Sequence, residues 1–180
     1  MEAPTTSRPL SPIYELPEPP NTSTRAGALE WTGLAAVAIV SIAADQITKS
    51  IATRSLALQV PHEILPGFDL TRIKNTGIAF GQFTGQQSIV MVLTAAAIVW
   101  MFVFFARSGA RHPVFPVALG LLVGGATSNL VDRLRAGFVT DFLHIHHWPI
   151  FNLADTCIVV GVGLLLLGLS QHERRTRATG

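Results

Sequence analysis

Two aspartates fourteen residues apart border an apolar stretch: Asp141 in Val139-Thr140-Asp141-Phe142 and Asp155 in Phe151-Asn152-Leu153-Ala154-Asp155. Two carboxyl groups brought together in a poorly solvated place resist double ionisation, so they share a proton and titrate as a pair. The ionised member can take a proton from water as it attacks a peptide carbonyl, while the protonated member hydrogen-bonds the developing oxyanion. That is aspartic-peptidase chemistry. Taken singly, each residue has a plainer reading: Asp155 at the start of an apolar run is a helix cap, and Asp141 alone means little. Further polar residues gather nearby. Asp45 and Lys49 are four apart and share a helical face, where they could form an intrahelical salt bridge or meet substrate. Asn129, Asp132 and Arg133 share another face if their helix continues, and a helix-terminal network is the plain reading for Asp132 and Arg133. Charges bordering lipid are costly unless paired or wetted, which makes all of these functional candidates.

The elements that must position them are membrane spans. Of the 180 residues, 49% are apolar and 13% charged, the profile of a membrane protein. Crossing a hydrocarbon core takes about 20 mostly apolar helical residues, and four stretches approach this: 32–51, 88–106, 114–131 and 153–170. The second and third contain no Asp, Glu, Lys or Arg. The first is too long for a signal-peptide core and has no small-x-small cleavage site after it, so it should stay as an anchor. An even number of spans puts both termini on one side. The short connection 107–112 and the Arg-rich residues 172–180 place positive charge beside span ends, so that side is read as cytoplasmic.

Residues 1–30, rich in Pro, Ser, Thr and Glu, read as a disordered cytoplasmic tail. Outside the membrane, residues 52–87 are long enough for a structured element, with strand-like alternation at 68–73 and breakers at Pro61, Pro66 and Gly67. The expected fold is therefore an all-α membrane protein of four transmembrane helices with a small extracytoplasmic β-like cradle. Gly120, Gly124 and Ser128 in the third span have the small-xxx-small spacing of close helix packing. The positive charge is scattered, leaving no stripe for nucleic acid, and the single cysteine, Cys157, allows no internal disulfide.

Two other chemistries compete. His144, His146 and His147 lie close to Asp141 and suggest a metal-dependent membrane protease or transporter, although no His-Glu-x-x-His helix is present. A serine-lysine peptidase could use Lys49 with Ser50 or Ser128. Adjacent helical residues do not face each other, so Ser50 is a poor partner, whereas Ser128 stays open on sequence alone.

The residues also carry a resemblance to the lipoprotein signal peptidase (signal peptidase II) family. Asp45-Gln46-Ile47-Thr48-Lys49 resembles its first motif and Lys74-Asn75-Thr76-Gly77-Ile78-Ala79-Phe80 its second. Gly124-Gly125-Ala126-Thr127-Ser128-Asn129-Leu130-Val131-Asp132-Arg133 resembles the third, leading through Gly137 to Val139-Thr140-Asp141-Phe142, and Phe151-Asn152-Leu153-Ala154-Asp155 completes the series. The resemblance covers residues 32–170, within a peptidase unit read as 31–171. It implies that Asp141 and Asp155 are the catalytic aspartates, with Asp45, Lys49, Asn75, Gly77, Asn129, Asp132, Arg133 and Asn152 in supporting or substrate-binding roles. It also implies diacylglyceryl-modified prolipoprotein substrates cut before the lipobox cysteine, no cofactor or metal, contact with membrane lipid, inhibition by cyclic peptides such as globomycin, and a monomeric enzyme of the bacterial cytoplasmic membrane whose active site faces outward. A non-enzymatic membrane scaffold would explain helix caps and interhelical pairs, but not this ordered set of motifs.

Overall fold

The computed structural model describes residues 26–77, 86–108 and 112–179, with side chains as far as Gln171. Most of the proposed disordered tail, the Ile78-Ala79-Phe80 end of the second motif and the middle of the 107–112 connection lie outside the described residues. Four helices, α1 (Ala28–Ser55), α2 (Gln87–Ser108), α3 (Phe115–Ala136) and α4 (Leu153–Thr179), are joined by strands β1 (His62–Leu65), β2 (Phe68–Asn75) and β3 (Val139–Ile145). All four helices are long and apolar enough to cross a membrane.

Each helix outruns its apolar stretch. The structure thereby corrects the expected boundaries: residues 28–30 are helical rather than tail, 52–55 and 87 are helical rather than cradle, and the backbone of 172–179 continues α4. At the start of α1 the Glu30 carboxylate accepts the Gly27 N–H at 2.9 Å, satisfying one of the donors a helix N-terminus leaves free. At the end of α3 Gly137 adopts φ +76° and donates its N–H to the Arg133 carbonyl, a left-handed stop that keeps residues 132–136 helical beyond the span.

α3 is the central helix. A Cβ at Gly120 would stand 2.7 Å from Val37 Cβ, and one at Gly124 would stand 2.8 Å from the Ala38 carbonyl, so the small-residue face lies directly on α1. On the other flank a Cβ at Gly125 would meet the Ala154 carbonyl at 2.5 Å, which brings α4 equally close. The buried residues of α1, namely Leu34, Ala38, Ser41, Asp45, Lys49 and Ala52, recur every three or four positions. They form one stripe that is apolar at its start and charged toward its end. α2 packs on α3 and is pinned near its end by aromatic rings: Trp31 meets Phe105 edge-on at 4.8 Å and stacks on Phe102 at 6.1 Å.

The strands form an antiparallel sheet in the order β1-β2-β3. The cradle anticipated over 52–87 supplies two strands, joined by a turn at Gly67 with φ +85°, and the third comes from 139–145, which sequence patterning left as a connection. A register shift between Leu70 and Ile73 in β2 inserts an extra residue opposite β3. After β3 the chain turns back, and Phe151 exchanges backbone hydrogen bonds with Leu143, donating its N–H at 2.9 Å and accepting one at 2.9 Å. This return carries Asn152 and the start of α4 alongside Asp141.

Candidate active site

Asp141 and Asp155 line one cavity of about 660 Å³ together with Asn75, Asn129 and Arg133. Three asparagines hold the pair. Asn75 Nδ2 donates to Asp141 Oδ2 at 2.8 Å, and Asn152 Nδ2 donates to Asp141 Oδ1 at 2.6 Å. Asn129 Nδ2 donates to Asp155 Oδ1 at 2.8 Å, and its Oδ1 accepts from Asn152 Nδ2 at 3.2 Å. Asn152 therefore links both carboxylates. It is also the residue before α4, and the helix start is closed reciprocally: Asp155 N–H donates to Asn152 Oδ1 at 3.0 Å, while Asn152 N–H donates to Asp155 Oδ2 at 3.2 Å. The capping reading of Asp155 thus describes a real contact, made by a side chain that also faces the cavity.

Behind the asparagines lies a buried ionic frame. Lys49 Nζ is 2.7 Å from Asp45 Oδ2, 2.7 Å from Asp132 Oδ2 and 2.9 Å from Asn129 Oδ1. Asp45 accepts the Ser128 hydroxyl at 2.7 Å and the backbone N–H of Ala154 at 2.9 Å, which ties α1 to α3 and to the first turn of α4. The Asp45–Lys49 pair is thus an intrahelical salt bridge, and the network of Asp132 runs between helices. Arg133 reaches across the cavity wall: Nη2 donates to the Gly77 carbonyl at 2.8 Å, and Gly77 N–H donates to Asn75 Oδ1 at 2.9 Å. Arg133, Gly77, Asn75 and Asp141 form a single chain of contacts.

Gln46 belongs to this frame and escaped sequence reasoning. Its Nε2 donates to Ser128 Oγ at 3.0 Å and to Asp132 Oδ1 at 2.8 Å. The available signal was the four-residue spacing of Ser128 and Asp132, which puts both on the face of α3 turned to α1. Ser128 donates to Asp45, while Lys49 engages carboxylates and Asn129, so the serine-lysine arrangement is not assembled. Ser50 is exposed beside a buried Lys49.

The metal-dependent reading finds no support. His144 lies three residues from Asp141 along β3, and alternate strand residues point to opposite faces, so it stands on the other side of the sheet. There His144 Nδ1 is 2.9 Å and His146 Nε2 is 3.4 Å from the same oxygen of Asp69. Asp69 also accepts the Thr71 hydroxyl, which, together with the two imidazoles and against its partial burial, holds its carboxyl below the ordinary range. Among the described residues no three His, Cys, Asp or Glu side chains are grouped as a metal ion needs.

Burial, reinforced by the nearby charge of Asp155, pushes the Asp141 carboxyl up to about 6, and the Asn75 and Asn152 amides and Lys49 oppose this only in part. The folded protein therefore keeps a proton that the unfolded chain releases near 3.8. Stability should fall as pH rises from about 4 to about 6 and level off above, by at most about 3 kcal/mol. Melting of wild type and Asp141→Asn in the same detergent across pH 4 to 7 checks this. The wild type should lose stability relative to the variant over that window, and parallel curves would refute the raised value.

A cavity between α2, α3 and α4 that holds one buried and one half-buried carboxyl group is a setting for acid-base chemistry within a membrane protein. The pattern of signal peptidase II matches residues 37–171. The lipoprotein signal peptidase of Symbiobacterium thermophilum is 40% identical over 147 residues, covering 79% of this chain and 97% of that protein. The one from Haemophilus influenzae is 38% identical over 155 residues, covering 82% and 89%. Two solved bacterial membrane enzymes superpose with TM-scores of 0.74 and 0.71 at 27% identity, covering 83% and 82% of this chain and 92% and 96% of theirs. The chain belongs to the signal peptidase II family: it is a bacterial membrane protease that removes signal peptides from prolipoproteins.

Proposed function

We propose that Asp141 and Asp155 are the catalytic pair, and that they cut a prolipoprotein just before a lipobox cysteine that already carries a diacylglyceryl group. The observation that supports this most is Asn152, whose amide and backbone touch both carboxylates where they line one cavity. With one proton on the pair, the ionised carboxylate draws a proton from water as it attacks the scissile carbonyl. The protonated one hydrogen-bonds the oxyanion and then supplies the proton that the leaving amine takes up. Asn75, Asn129 and Asn152 orient the pair. Asp45, Lys49 and Asp132 hold those asparagines in place, and Arg133 with Gly77 shapes the wall against which the substrate backbone lies.

The chemistry is carried by carboxylates, with no metal or other cofactor. Purified protein should cleave a diacylglyceryl-modified lipobox peptide at an unchanged rate in excess chelator. Activity lost to chelator and restored by added metal would overturn this assignment. The same cavity would take globomycin-like cyclic peptides.

The peptidase unit of residues 31–171 sits in the bacterial cytoplasmic membrane, in contact with its lipid. Its flanking segments, 1–30 and 172–180, are cytoplasmic, and the sheet and dyad face outward. Arg107 and the arginines after Gln171 support this orientation. A cysteine placed at Gly67 should react with a membrane-impermeant thiol reagent added outside intact cells, and one placed at Ser108 only after lysis. The opposite pattern would invert the topology.

A further inference from the structure

Gln46 lies on α1 next to Asp45, half-buried and outside the lining of the cavity, and it touches neither dyad carboxylate. Both hydrogens of its amide are used: Nε2 donates to Ser128 Oγ at 3.0 Å and to Asp132 Oδ1 at 2.8 Å. Which end of the amide faces α3 is fixed by its partners. Ser128 gives its single hydrogen to Asp45 Oδ2, so only lone pairs face Gln46, and the carboxylate of Asp132 is likewise an acceptor. Asp132 is thereby held by a different partner on each oxygen, Gln46 on Oδ1 and Lys49 on Oδ2 at 2.7 Å. Lys49 Nζ in turn divides its contacts among Asp45, Asp132 and Asn129. Its hold on Asn129 Oδ1 turns the other end of that amide, Nδ2, toward Asp155 Oδ1. Along the series Gln46, Asp132, Lys49, Asn129 and Asp155, each contact sets what the next group presents.

We infer that Gln46 is a positioning residue for the cleavage reaction: by holding Asp132 Oδ1 it stops that carboxylate from turning both oxygens on Lys49, and so keeps Lys49 against Asn129 and Asn129 donating to Asp155. This rests on the dyad assignment proposed above. A carboxylate that meets a cation through both oxygens gains a second charge-assisted contact, so without Gln46 the ammonium of Lys49 moves toward Asp132. Asn129 then loses the partner that orients it. A turned Asn129 sets its oxygen against Asp155, and the proton shared by the pair is held there. The dyad also loses part of the positive field of Lys49. The other charged groups around it do not replace that field. Asp45 and Asp132 are acidic, and Arg133 is tied to the Gly77 carbonyl. α2 contributes only Arg107, in its last turn, and Lys74 of β2 lies over the Phe138 ring. Asp69, His144 and His146 stand on the opposite face of the sheet.

The test uses purified full-length protein in detergent and a diacylglyceryl-modified lipobox peptide. Gln46→Met keeps the length of the side chain and removes both donors. It should lower kcat about tenfold with KM within about threefold, and move the acidic limb of the kcat profile to higher pH as positive charge recedes from the pair. In a double-mutant cycle with Asp132→Asn the losses should not multiply, because both act through one carboxylate, and the double variant should stay within about twofold of the worse single. Unchanged kcat in Gln46→Met, a loss confined to KM, or losses that multiply with Asp132→Asn would each overturn the inference. Should Gln46→Met not fold, Gln46→Glu, which keeps size and shape, decides the matter. Its carboxyl can donate to Asp132 only while protonated, so kcat relative to wild type should fall at least about tenfold between about pH 5 and about pH 8. A ratio that is flat with pH overturns the inference. The dyad assignment fails on a different observation, an Asp141→Asn or Asp155→Asn protein that cleaves near the wild-type rate, so the two failures are distinguishable.

Discussion

Replacing either dyad aspartate with asparagine should reduce lipobox cleavage by at least about a hundredfold, a barrier increase of about 2.7 kcal/mol or more. An amide cannot take a proton from water at neutral pH, and an Asp-Asn pair has no proton to share. Folding should survive. In Asp155→Asn the remaining oxygen can still accept the Asn152 N–H that closes the start of α4, and asparagine caps helices about as well as aspartate, but the NH2 then faces the Asn129 amide donor, at a cost of about one hydrogen bond, roughly 1 kcal/mol. Asp141 accepts amide hydrogen bonds on both oxygens, so Asp141→Asn sets one NH2 against a donor and should cost about one hydrogen bond, roughly 1 kcal/mol. Because the two act as a unit, the double variant should be little worse than either single. Purified Asp155→Asn that melts normally and cleaves near the wild-type rate would mean that Asp155 is only a cap.

The second large effect is on stability. Lys49 is buried and bridges Asp45 and Asp132 at 2.7 Å each, so one cation serves two carboxylates. Lys49→Met keeps the length and removes the charge, leaving two carboxylates of the frame without their cation. Breaking a buried pair in this way typically costs about 3 to 5 kcal/mol. Lys49 also opposes the upward shift of Asp141, so its loss should move the pH window of Asp141 to higher values. Adding Asp132→Asn to Lys49→Met removes one of the stranded charges and should recover part of the loss. Denaturant unfolding of the two variants measures both. A single variant as stable as wild type would show that the frame contributes nothing net.

Much of this arrangement is readable in the sequence. The four spans follow from hydropathy because lipid demands it, and the charged residues at their ends stand out because lipid penalises them. What hydropathy cannot give is where a helix stops: residues 132–136 carry three charged side chains yet are helical, ended by the Gly137 cap. The third strand also escaped. Residues 139–145 pair with β2 across about seventy residues of intervening chain, and the β2 bulge that sets their register has no local signature. Motifs identify Asp141, Asp155 and the asparagines, but the wiring among them is tertiary. Gln46 and the Ala154 N–H became visible only once α1 lay against α3 and α4.

That wiring has a consequence for biosynthesis. Asp45 caps the backbone of Ala154 across 109 residues of chain, and Asn152 and Asp155 arrive only with the fourth helix. A nascent chain with three helices inserted has Asp141 and Asn75 but neither Asn152 nor Asp155. With Asp141 and Asp155 as the proposed catalytic pair, the site is therefore assembled only when the last helix docks.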